Sequence, residues 1–171
     1  MLKISGTLLG ALAALATIPV APARATAAVL GPDAAACNQA DSPAVLVRVE
    51  GFKTRSGSIR VQLYGDNPAD FLAKGKKIKR IDLPVTPSGP MQICVALPQS
   101  GNVAVAVRHD IDGDGKSSLS DGGGFSRNPK LSLFKLKPDY RDVVVSVGKE
   151  TKVLDVKLNY RDGFSIKPVR S

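Results

Sequence analysis

Apolar and polar residues alternate with a period of two along much of the chain. The pattern is clearest in Val45–Glu50 and Ile59–Tyr64, where every second residue is apolar. Neighbouring side chains of a β-strand point to opposite faces of the sheet, so each segment predicts a strand with one buried and one wet side. The residues between them, Gly51–Ser58, are predicted to form a hairpin loop.

Strand character recurs further along the chain, and one short helix is indicated. The other predicted strands are Lys76–Leu83, Met91–Leu97, Asn102–His109, Leu131–Leu136, Tyr140–Val147 and Thr151–Tyr160. Asn67 can cap a helix that begins at Pro68 and stops at Gly75. Seven to eight short strands with a single helix predict an all-β, antiparallel β-sandwich over residues 44–160. Residues 161–171 are predicted to form an extended C-terminal tail.

The first 25 residues have the pattern of a secretory signal peptide. Lys3 is followed by an uncharged run, Ile4–Val20, and by small residues that offer cleavage at Ala23–Ala25 or Ala25–Ala27. The alternative is a membrane anchor, but the run is shorter than the ~20 residues of a spanning helix. We therefore expect an exported protein, periplasmic or extracellular, with no transmembrane segment in the mature chain.

The two cysteines, Cys37 and Cys94, both lie in the mature part. An even number of thiols in an exported protein predicts one disulfide, which would hold the flexible N-terminal segment 26–43 to the domain. Lipid attachment at Cys37 is an alternative, since small residues precede it. That alternative leaves Cys94 unpaired, and position 34 is Ala rather than a bulky aliphatic residue.

Residues 110–121, here called the acidic loop, have the spacing of a calcium-binding loop. Oxygen-bearing side chains fall at loop positions 1, 3, 5, 9 and 12, and a glycine stands at position 6. The candidate ligands are Asp110, Asp112, Asp114, the carbonyl of Lys116, and Asp121. Four carboxylates close together repel one another unless a cation or protons compensate them. The sequence therefore predicts a structural Ca²⁺, although a turn rich in Asp and Gly needs no ion.

The residues on either side of this loop are further candidates. His109 shares strand parity with apolar neighbours, which indicates a buried histidine; the alternative is a general base. The glycine segment after the loop is the candidate ligand loop: Gly122, Gly123, Gly124, Phe125, Ser126 and Asn128. Binding residues concentrate on loops that a rigid scaffold holds, so any ligand of this protein is expected here. The alternative is that the glycines only let the chain turn back tightly, with Phe125 as an anchor.

Charge adds one more candidate surface. The chain has a formal net charge of +9, and the basic run Lys74–Arg80 carries five of its positive charges. This run predicts either a solvated strand that resists edge pairing or a surface for anionic envelope polymers or lipid headgroups. Nucleic acid is an unsuitable partner, because aromatic content is 5% and no recognition motif is present. A single histidine excludes a multi-histidine zinc site.

Three strings together resemble a known family. They are Gly57-x-Ile-Arg-Val-x-Leu-Tyr64, Val105-Ala-Val-x-His-Asp-x-Asp-Gly-Asp-Gly-Lys116 and Gly124-Phe-Ser-x-Asn-Pro129. The chain is similar, over about residues 44–160, to the exported bacterial family known as domain of unknown function 2141. The resemblance implies a transthyretin-like or immunoglobulin-like sandwich. No catalytic residues are established for the family, so none are carried over to this chain.

These features predict an exported, non-enzymatic β-sandwich module with a structural calcium loop, serving binding or cell-envelope structure. One alternative is a small, hydrolase-like envelope enzyme that uses His109 and the neighbouring aspartates. Another is a carrier of a sugar or lipid, which requires a concave apolar pocket beside the glycine segment.

Overall fold

The computed structural model describes residues 27–169, so the predicted signal peptide lies outside the described residues. This part of the chain is mostly β-structure, as predicted, with one single-turn α-helix, α1 (Tyr140–Val143). The strands are β1 (Val29–Leu30), β2 (Ala44–Glu50), β3 (Ser58–Tyr64), β4 (Lys79–Pro84), β5 (Met91–Ala96), β6 (Gly101–Asp110), β7 (Gly122–Phe125), β8 (Val145–Val147), β9 (Lys152–Lys157), β10 (Asn159–Asp162) and β11 (Ser165–Pro168).

The strands form the two sheets of a β-sandwich. The smaller sheet has the order β1-β5-β2-β9, and the larger sheet has the order β11-β10-β7-β6-β3-β4, with β8 paired to the start of β6. Most pairs are antiparallel, whereas β1 with β5 and β2 with β9 are parallel. The antiparallel sandwich predicted from alternation is therefore correct, with two parallel pairs in the smaller sheet.

The main core lies between the two sheets and consists of the predicted apolar faces. Val45, Val47 and Val49 of β2 are fully buried, and so are Ile59 and Leu63 of β3. The last predicted strand supplies core residues to both sheets. Its chain leaves the smaller sheet after Lys157 and enters the larger sheet at Asn159.

The N-terminal segment is fastened to the outer face of the smaller sheet. Cys37 and Cys94 form the predicted disulfide, with a Cα–Cα distance of 5.9 Å, so Cys37 has no thiol left for a lipid. A carboxylate oxygen of Asp33 accepts a hydrogen bond from the backbone N–H of Ala96 (2.9 Å) and pairs with the Lys79 ammonium (2.5 Å). The segment predicted to be flexible is thus attached to the domain by these contacts and by the pairing of β1 with β5.

A second, smaller core covers part of the outer face of the larger sheet. Phe71 packs edge-on against Tyr64, Phe125 and Tyr140, with ring centroids 5.4–6.2 Å apart. The predicted helix at residues 67–74 is reduced to a 3-10 turn, Pro68–Asp70, although the Asn67 side chain caps it as expected. The aromatic packing of Phe71 outweighs the weak helix preference of so short a segment.

Four other segments differ from the sequence prediction. Residues 51–57 connect β2 in the smaller sheet to β3 in the larger sheet, so they do not form the predicted hairpin loop. Residues 131–136 form an irregular turn instead of a strand, because their leucines face a groove and only Ser132 and Lys135 pair. Residues 140–147 divide into α1 and β8. The predicted C-terminal tail instead completes β10 and adds β11, an antiparallel hairpin at the sheet edge that pairs Tyr160 with Lys167. Together with β1 and β7, which were not predicted, these changes give eleven strands within residues 27–169 instead of the seven or eight expected.

Candidate functional site

The acidic loop follows directly from the end of β6 and brings three predicted ligands together. One carboxylate oxygen each of Asp110, Asp112 and Asp114 lies within 4.8 Å of the other two. Gly113 and Gly115 have φ of +72° and +79°, a left-handed conformation that glycine adopts readily and that lets the chain turn so tightly. The turn therefore collects the three carboxylates at one point, as the spacing predicts.

Backbone N–H groups already support the three carboxylates. Asp110 is buried and accepts hydrogen bonds from the N–H groups of Gly113 and Gly115, both at 3.0 Å. Asp112 accepts from Asp114 (3.3 Å), and Asp114 accepts from Lys116 (2.7 Å), each through one oxygen. Asp112 and Asp114 are exposed residues, and each has a second carboxylate oxygen that can serve a cation.

Asp121 lies outside the group of three. Its two oxygens accept from the backbone N–H groups of Ile111 (3.3 Å) and Ser118 (3.1 Å) and from the Ser118 hydroxyl. The side chain closes the loop by joining its two ends, which is a structural role. Of the five predicted ligands, the loop thus brings together three carboxylates, and Asp121 has a structural role instead. The N–H of Lys116 donates a hydrogen bond to Asp114.

Two residues that the sequence reasoning missed hold the first turn of the loop. The Arg108 guanidinium pairs with the Asp110 carboxylate at 2.9 Å and donates to the Ser117 hydroxyl at 3.0 Å. Gly57 has φ of +74°, and a Cβ placed on it would lie 1.9 Å from the Asp110 carbonyl oxygen. Alternation along β6 could have revealed Arg108, because it shares strand parity with Asp110.

His109 is fully buried, and both of its ring nitrogens have partners. A carbonyl oxygen only accepts, so Nε2–H donates to the Ser56 carbonyl (2.8 Å), while Nδ1 accepts from the Tyr160 hydroxyl (2.7 Å). Burial raises the pKa of Tyr160 to about 12. The hydrolase alternative depends on His109 as a general base, and neither ring nitrogen is free or exposed to a substrate.

The glycine segment is a strand rather than a loop for half its length. Gly122–Phe125 is β7, in which a Cβ on Gly122 would lie 2.3 Å from the Tyr160 ring and one on Gly124 would lie 2.7 Å from Val156. These two glycines therefore face the core and allow close packing. Gly123 faces outward, where the nearest atom to a Cβ would be the Val107 carbonyl oxygen at 3.8 Å.

Two other members of the candidate ligand loop have structural roles. The buried Ser126 hydroxyl donates to the Val143 carbonyl at 2.5 Å and accepts from the Val105 N–H at 3.1 Å. The Asn128 amide bridges to β9, donating to the Asp155 carbonyl and accepting from the Lys157 N–H, both at 2.8 Å. Neither side chain is available to a ligand without breaking these bonds.

A groove of about 490 Å³ lies beside the acidic loop on the outer face of the larger sheet. Gly122, Gly123 and Phe125 line it, so the structure has the concave pocket that the carrier alternative requires. Three segments border the groove: 72–77, 117–121 and 131–137.

The basic run divides between ion pairs and this groove. Lys76 pairs with Asp70, Lys79 with Asp33 and Arg80 with Asp82. Lys74 and Lys77 line the groove and make no ion pair with any residue from 27 to 169. The run thus leads into β4, which is an edge strand of the larger sheet, as its lysines indicate. The ammonium groups of Lys74 and Lys77 are available to a ligand.

The fold and the loop define a class: a β-sandwich domain with an acidic loop at one end of its larger sheet. Residues 47–154 match the model of a family described as "Uncharacterized protein conserved in bacteria (DUF2141)", and the chain belongs to that family. No curated protein and no solved structure matches the chain. Among residues 27–169, no helix has the length and apolar character that a membrane crossing needs.

Proposed function

We propose that this protein is an exported, non-enzymatic binding or envelope module whose acidic loop is stabilised by Ca²⁺. The observation that carries the calcium proposal is the convergence of Asp110, Asp112 and Asp114 within 4.8 Å. Hard divalent cations prefer carboxylate oxygens, and two of the three grouped aspartates, Asp112 and Asp114, are exposed. The apolar run at residues 4–20 and the Cys37–Cys94 disulfide support export, since disulfides persist in oxidising compartments.

The expected role of the ion is to hold the loop. A site with three aspartates, open to water, belongs with extracellular calcium modules that have a Kd of about 10⁻⁴–10⁻³ M. Calcium at about 10 mM then adds about 1.4–2.7 kcal/mol to the free energy of unfolding. For a domain of this size, we expect a rise of about 3–10 °C in melting temperature.

The test is thermal unfolding of the purified protein in calcium, magnesium and EGTA. Asp112→Asn and Asp114→Asn keep an oxygen that can accept the backbone hydrogen bond but remove a ligand charge, so we expect each to abolish most of the shift. Asp41→Asn is the matched control, because Asp41 is exposed and lies outside the acidic loop. A wild-type melting temperature that is equal in calcium and EGTA would overturn the calcium proposal.

A further inference from the structure

We infer that the groove on the outer face of the larger sheet binds an acyl chain of an anionic membrane lipid, with the lipid headgroup at Lys74 and Lys77. This inference deepens the proposed binding role and rests on it, but it does not require calcium. Four properties of the groove lead to it: its floor of small residues, its apolar side chains, its charge and its exposed rim.

The groove exists because the sheet beneath it carries small side chains. Ala106 of β6 and Gly123 of β7 face outward at its floor, where larger residues would fill the space. The nearest atom to a Cβ at Gly123 is 3.8 Å away, so nothing else occupies that position. The volume of about 490 Å³ falls within the ≈ 300–1,000 Å³ of typical ligand sites.

Large aliphatic side chains line one part of the groove. Leucines come from all three bordering segments, and Ile166 of β11 adds to them: Leu72, Leu119, Leu131, Leu133 and Leu136. Leu119 is 69% exposed and Leu136 is 49% exposed. Contact of this apolar surface with water is unfavourable in free energy. A hydrocarbon chain laid along these side chains would remove that apolar surface from water.

The charges around the groove favour an anionic headgroup. Five cationic residues line it against one carboxylate, Asp121, whose oxygens already cap the acidic loop. Lys74, Lys77 and Lys137 make no ion pair with any residue from 27 to 169. An acidic headgroup beside an acyl chain therefore matches the chemistry of both parts of the groove.

The rim adds a contact suited to a membrane surface. Phe134 is fully exposed next to the leucines of the groove, and Lys130, Lys135 and Lys137 lie in the same short segment. Exposed aromatic and aliphatic residues among lysines are typical of segments that insert into the interface of an anionic bilayer. This feature favours a lipid drawn from a membrane over a free soluble anion.

The experiment is co-sedimentation of the purified protein with phosphatidylglycerol and with phosphatidylcholine vesicles, in EGTA throughout. We expect binding to the anionic vesicles only. The double variant Lys74→Gln/Lys77→Gln should weaken it about 10–30-fold. Lys149→Gln/Lys152→Gln is the matched control, because it removes the same charge at two exposed positions away from the groove.

A second pair of variants tests whether the acyl chain enters the groove. Gly123→Leu fills the floor, whereas Gly148→Leu places the same side chain where nothing lies within 4 Å, outside the groove. We expect only Gly123→Leu to abolish uptake of a fluorescent fatty acid, with the melting temperatures of both variants confirming that they fold. Wild-type uptake by Gly123→Leu, equal losses in the two lysine pairs, or no binding to anionic vesicles would each overturn the inference. Failure of the calcium proposal would show instead as a missing thermal shift.

Discussion

Gly57 offers the sharpest test of how the loop after β2 supports the acidic loop. Its φ is +74°, and a Cβ would lie 1.9 Å from the Asp110 carbonyl oxygen and 2.7 Å from that of Ile111. The contacted atoms are backbone, so they cannot rotate away as a side chain would. In Gly57→Ala the connection between β2 and β3 and the first turn of the acidic loop must therefore separate.

The magnitude follows from two terms. An alanine in the left-handed region costs about 1–2 kcal/mol. Overpacking against atoms that cannot move aside adds about 1–3 kcal/mol. We expect Gly57→Ala to lower the free energy of unfolding by about 2–5 kcal/mol.

Gly75→Ala separates these terms. Gly75 has a similar φ, +79°, but a Cβ there would meet nothing within 4 Å, so only the first term applies. The effect of alanine on the unfolded chain is common to both variants and cancels in the comparison. Urea unfolding followed by far-UV circular dichroism suits a protein without tryptophan, and equal slopes would show that stability alone has changed. Losses for the two variants that agree within about 0.5 kcal/mol would refute the close approach of Gly57 to Asp110.

Two further predictions concern the disulfide and the buried tyrosine. Replacing Cys37 and Cys94 by serine should lower the free energy of unfolding by about 4 kcal/mol, because the bond links residues 57 positions apart; a urea midpoint equal to that of the oxidised protein would contradict this. Burial raises the pKa of Tyr160 from 10.0 to about 12, so the stability it contributes is complete below pH 10 and is lost as the pH rises through 12. We expect a loss of about 1 kcal/mol between pH 9 and 11, measured by urea unfolding, that Tyr160→Phe lacks; parallel pH curves would argue against it.

Alternation was sufficient to predict the sandwich because burial between two sheets requires it. One core contains the valines of β2 and β6 and the isoleucine, valine and leucine of β3. These residues occupy every second position of their strands, and the same positions are buried in the structure. The same argument placed His109 on the core side. The structure agrees with it.

The sequence could not predict elements whose cause is tertiary. β7 consists of three glycines and Phe125, and glycine has no side chain that could show an apolar pattern. The segment is a strand because its neighbours β6 and β10 supply the hydrogen bonds. The leucines at 131–136 resemble the alternation of a strand, but in the structure they line the groove. The backbone of this segment pairs with no strand of either sheet. Asp121 fits the spacing of a ligand, yet the two ends of the loop need its carboxylate as a cap.

The odd-numbered and the even-numbered residues of β6 have different roles in the domain. Its odd-numbered residues from Val103 to His109 face the core between the sheets. Its even-numbered residues face outward: Ala104 and Ala106 carry the second core and the groove floor, and Arg108 and Asp110 begin the acidic loop. A shift of one residue in the pairing of β6 with β3 would bury Arg108 and expose the valines, so the core fixes the register. The same register places the groove and the acidic loop side by side, with Arg108 touching both.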